Sequence, residues 1–199
     1  MVVFRLDLMF RTLLRKPMKR LILLLSLILC LSFPIIVQAK TYDIQSVNFT
    51  TLSTQDMEDT IQSLATKIAR DCGIPYEIHT SCFDWQEWHI LAYNNLIIYP
   101  DYGSTVCINL SGFKDTTEAD YRGCTVEYLL VHTLAHEIRH SYQYYHQNDD
   151  SDYGRACKQG LIDYKSYNGD STSYYLQFIE ADAEEFASQY ADEYFKLVR

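Results

Sequence analysis

Residues 132–143 read HTLAHEIRHSYQ, in which His132, His136 and His140 recur at every fourth position and Glu137 follows the second histidine. On a helix, four residues turn the chain by about 400° and raise it about 6 Å, so the three imidazoles line one stripe. Within it, His136-Glu137-Ile138-Arg139-His140 is an HExxH pattern. Histidines at i and i+4 present their rings to one cation. A glutamate turned about 100° from the first of them reaches a water on that cation without binding the cation itself. Zinc with three protein ligands keeps a fourth position for water and lowers the pKa of that water toward about 7. His136 and His140 are therefore the candidate ligands and Glu137 the candidate general base. His132 cannot join them, because residues at i and i+8 lie about 12 Å apart along a straight helix and zinc–ligand bonds are about 2 Å. It is expected in the core or behind the ligands, and Arg139, facing away from the stripe, in a salt bridge. The rival reading is a surface helix that happens to be rich in histidine.

These residues need elements to hold them. Residues 54–71, TQDMEDTIQSLATKIARD, place Met57, Ile61, Leu64, Ala65 and Ile68 at helical spacing, with Ser53 or Thr54 as N-cap and Gly73 just past the end. Residues 75–111 are aromatic and β-branched and read as three or so strands of a small, mostly antiparallel sheet, with a hairpin at PDYGS. Helical periodicity returns over TVEYLLVHTLAHEIRHSYQYYH. A polar tract follows, with one short helix near Ala156–Tyr164. A last helix over about Ser173–Leu197 carries an apolar stripe of Ile179, Ala183, Phe186, Tyr190, Tyr194 and Leu197. The expected fold class is α+β, in one domain over residues 40–199.

The last helix contains IEADAEEFA, residues 179–187. HEIRHSYQ followed by this run resembles the HExxH zinc metallopeptidases of the gluzincin type, in particular compact bacterial members with an HE[LI]RH…ExDA pattern. The likeness covers residues 125–190 closely. It implies a compact zincin-like domain with an N-terminal helix, a small sheet, an active-site helix and a C-terminal helix bearing a glutamate ligand. By that resemblance His136, His140 and Glu180 bind one zinc ion per chain and Glu137 is the base. Larger gluzincins orient a ligand histidine with a further carboxylate, a place open here to Asp182 or Glu184. His146, Tyr144, Tyr145, Tyr174 and Tyr175 are candidates for stabilising an oxyanion.

The rest of the chain suits an exported protein. Arg15, Lys16, Lys19 and Arg20 precede the uncharged run LILLLSLILCLSFPIIV and then VQA, the parts of a secretory signal. Residues 1–39 read as that signal, with Met18 an alternative start and an uncleaved membrane anchor the rival reading. Beyond Cys30 there are Cys72, Cys82, Cys107, Cys124 and Cys157, none in CxxC spacing, which outside the cytosol suggests two disulfides and one thiol. The formal charge of −9 understates the acidity of residues 40–199, since residues 1–39 are basic. Such a domain repels phosphate backbones, which argues against a nucleic-acid partner. Two functions fit: a secreted zinc metallopeptidase acting on a peptide or protein substrate, and a non-catalytic zinc-containing binding module on the same scaffold.

Overall fold

The structure is a computed structural model that describes residues 43–85, 90–95, 104–165 and 171–197. The signal-like segment, His89 and most of PDYGS lie outside the described residues.

Helix α1 spans Thr54–Asp71. Ser53 caps it, its hydroxyl accepting the Asp56 N–H, and Gly73 follows its end at φ +75°, a conformation open to glycine without cost. Its predicted stripe (Met57, Ile61, Leu64, Ala65 and Ile68) is buried. Strands β1 (Ile78–Phe83), β2 (Ala92–Asn95) and β3 (Ser104–Asn109) form one sheet in the order β1-β3-β2. β2 pairs antiparallel to β3, but β1 pairs parallel to β3, so the sheet is mixed rather than mostly antiparallel. The cause is visible in the side chains. β3 carries Val106 and Ile108, both fully buried, and takes the centre, whereas the polar β2 (AYNN) takes an edge.

A short helix that the periodicity did not reveal, α2 (Thr117–Arg122), ends at Gly123 with φ +71°. It leads into α3 (Val126–His146), which Thr125 caps by accepting the Tyr128 N–H. α3 packs against α1, β2, β3 and two of the later helices, so it is the central element. α4 (Asp152–Asp163) is longer than expected and is capped by Ser151. The expected last helix is two, α5 (Ser171–Tyr175) and α6 (Phe178–Tyr194). The break falls at Gln177, whose backbone is extended and whose amide clasps both the N–H and the carbonyl of Lys165. The buried face of α6 is Ile179, Glu180, Ala183, Ala187 and Ala191. That face differs from the expected stripe: Phe186, Tyr190 and Tyr194 pack at its margin and Leu197 is exposed. Small alanines let α6 approach α3 closely, and this turns Glu180 inward.

All five cysteines among the described residues are free, in contrast to the two disulfides expected. Cys82 and Cys107 come closest in register. Cys107 pairs with Ser81, however, and Cys82 with Ile108, so their side chains leave opposite faces of the sheet.

Candidate metal centre

His136 and His140 occupy successive turns of α3, with ring centroids 4.8 Å apart and planes nearly perpendicular. Their Nε2 atoms are 3.2 Å apart. Glu180, on the first turn of α6, is 1% exposed. Its Oε2 lies 3.3 Å from His136 Nε2 and its Oε1 3.7 Å from His140 Nε2. Three ligands at about 2.05 Å in tetrahedral directions stand roughly 3.3 Å from one another. The His136–His140 separation and the nearer Glu180 contact are close to that spacing, and one ligand atom from each of the three residues lies within 4.8 Å of the others. Glu180 Oε2 is buried and has no hydrogen-bond partner, an arrangement that a cation relieves.

The electrostatics agree with that geometry. Burial works against a charged His136, yet the Glu180 and Glu184 carboxylates outweigh it and push the imidazole up to about 10. Burial would likewise raise Glu180, but His136 and His140 hold it below the ordinary carboxylate range. The cluster stabilises positive charge at its centre. His136, His140 and Glu180 could hold a metal ion.

Glu137 stands apart from the triangle, as its place on the helix requires. It is 9% exposed, and burial pushes its carboxyl above the usual value against the pull of His140 and His136. A base working near neutral pH benefits from such a shift. The backbone N–H of Asn94 in β2 reaches its carboxylate. The Asn94 side chain donates to the Glu137 carbonyl (2.6 Å) and to Ser141 Oγ (2.7 Å), while Ser104 Oγ donates to Asn94 Oδ1. A buried polar network therefore pins the edge strand to the turn of α3 that carries Glu137.

Asp182 and Glu184 do not compete for one place behind the ligands; each serves a different histidine. Glu184 faces His136 Nδ1 at 3.5 Å and His132 Nε2 at 3.3 Å. His132 also meets Ser188 Oγ and stacks on Tyr128, which puts it behind His136 rather than at the centre. Asp182 takes both Arg139 Nε and Nη2 (2.8 and 2.9 Å), giving Arg139 the expected salt bridge. The guanidinium lies over the rings of Tyr142, Tyr153 and Phe186. Between Asp182 and His140 stands Gln143, which sequence reasoning passed over although it sits three residues after His140, on the same helix face.

Of the expected oxyanion candidates, Tyr174 is brought to the cluster: its hydroxyl bonds the Glu180 carboxylate. Tyr164, unremarked in the sequence, joins it, with the two hydroxyls 3.2 Å apart. Burial raises the pKa of both phenols, with Glu180 adding to it; the shared bond raises Tyr174 and lowers Tyr164 without reversing the shift, so both remain donors. His146 instead pairs with Asp149, Tyr145 packs on Tyr76 and Tyr175 is half exposed. A cavity of about 640 Å3 lies on the His132–Glu184 side, walled by Tyr128, Leu129, Phe195 and Leu197; His136, His140, Glu180 and Glu137 do not line it.

Comparison with protein-family models, curated proteins and solved structures finds no match for the chain.

Proposed function

We propose that the chain is an exported zinc-dependent peptidase of the gluzincin type. The observation that carries this reading is the His136–His140–Glu180 triangle with a separate buried carboxyl, Glu137, beside it. Two imidazoles and one carboxylate are the donor set that suits zinc with an open position. Bound zinc would activate water in that position and polarise the substrate carbonyl.

The chain's own groups supply the rest. Glu137 takes a proton from the attacking water on its carboxylate and passes it to the leaving amide nitrogen. Tyr174 and Tyr164 hydroxyls donate toward the oxygen on which charge develops. The substrate backbone adds to the outer edge of β2, where the Asn94 N–H already points at Glu137.

Metal content and cleavage of a mixed peptide library, each measured on wild type and Glu137→Gln, test the reading together. Cleavage by wild type alone, with zinc in both proteins, is the expected result. Stoichiometric zinc with no cleavage by either would instead identify a zinc-containing binding module.

A further inference from the structure

We infer that Gln143 is a positioning residue that presets the second histidine and the glutamate-bearing helix before any metal arrives. Its side chain is fully buried and makes three hydrogen bonds. The amide Nε2 donates to the Ile179 carbonyl and to Asp182 Oδ2, both at 2.8 Å. These partners fix the orientation of the amide, because the flipped form would set its oxygen against two other oxygens. The Asp182 carboxylate cannot rearrange to suit a flip, since Arg139 and the Tyr153 hydroxyl already donate to it.

The amide oxygen is therefore the group that meets His140 Nδ1, at 2.9 Å. An oxygen there can only accept, so the Nδ1 of His140 carries the proton. Its Nε2 lone pair is left facing His136 and Glu180, the tautomer that a ligand needs. The same amide binds the carbonyl of Ile179, the residue immediately before Glu180. One side chain thus sets the tautomer of one ligand and the register of the helix turn that carries another. Arg139, held between three rings and bidentate to Asp182, keeps the far end of this chain of bonds in place.

The inference rests on reading His136, His140 and Glu180 as a metal site, and it does not need the site to hydrolyse anything. In chelator-treated wild type at mildly alkaline pH, long-range 1H–15N spectra should show His140 protonated at Nδ1. A proton on Nε2 overturns the proposal without any variant. Gln143→Leu should mix the two tautomers and weaken metal affinity, read by chelator competition, by about 10- to 100-fold. Gln143→Glu keeps an acceptor toward Nδ1 and should retain the Nδ1–H form where it folds, at a cost in stability because its second oxygen faces the Ile179 carbonyl and Asp182. A folded Gln143→Leu protein with the wild-type tautomer and unchanged metal affinity also overturns it. Should that variant fail to fold, the wild-type spectrum decides. Wild type that binds no metal refutes the site itself, whereas metal binding that depends on Gln143, without peptide cleavage, refutes only the peptidase.

Discussion

His136 Nε2 and Glu180 Oε2 stand 3.3 Å apart, one on the central helix α3 and the other on the first turn of α6. Ala183, Ala187 and Ala191 on the buried face of α6 allow this approach, so the packing of two helices and the closure of the site are one event.

Glu180→Ala should therefore cost metal affinity. Four-ligand zinc sites bind with about 10–16 kcal/mol, so one ligand represents roughly 3 kcal/mol, or more than about a hundredfold. Zinc at about a hundred times its dissociation constant should stabilise wild type by about 2.7 kcal/mol. A thermal melt with and without zinc checks both, and an equal shift in Glu180→Ala would remove Glu180 from the ligand set.

Glu137→Gln keeps the shape of the side chain and removes the carboxylate proposed as the base. Zinc content should stay at the wild-type level while turnover falls by about 10^2 to 10^4. A variant that lost metal and turnover together would point to Glu137 as a ligand.

Arg139 and Asp182 form a bidentate pair, each side chain less than a fifth exposed. Asp182→Ala strands the guanidinium among three rings and should cost about 3 kcal/mol, read as a lower urea midpoint. Asp182→Ala should also weaken metal binding, because Gln143 loses an anchor. Stability equal to wild type would show the pair to be energetically neutral.

Asn94 ties β2 to α3 through two bonds from its amide. Asn94→Ala leaves a buried hydroxyl and carbonyl short of donors, at about 2 kcal/mol. Hydrogen exchange should rise in β2 more than in β1, and uniform exchange across the sheet would contradict the pinning.

The free thiols make a separate prediction. Burial pushes Cys72 up to about 11 and Cys82 up to about 12. The thiolate is the reactive form, so alkylation of both should be slow near neutrality and rise about tenfold per pH unit. Cys157 is fully buried and Cys107 nearly so, and both should react only on unfolding. Pulsed alkylation with mass analysis counts the thiols, and a single modifiable cysteine after denaturation would mean two disulfides after all.

Local regularities were legible in the chain itself. The period of α1, its serine cap and its terminal glycine, the helix through HEIRH and the exclusion of His132 from the centre follow from spacing and helical rise, which act between near neighbours. The α+β class followed from the same periods. What spacing could not supply was anything set by packing between distant segments. β3 rather than β2 took the centre of the sheet because burial on both faces, not chain order, decides strand position. Glu180 was one acid among several in EADAEE until the alanine face of α6 turned it inward. Asp182 and Glu184 were equivalent in the sequence and parted only when Arg139 and Gln143 claimed one while His136 and His132 claimed the other. Sequence determined which side chains could bind a cation; tertiary structure decided which of them meet, because hydrogen bonds and ion pairs reach only about 3 Å and must be placed by the core around them.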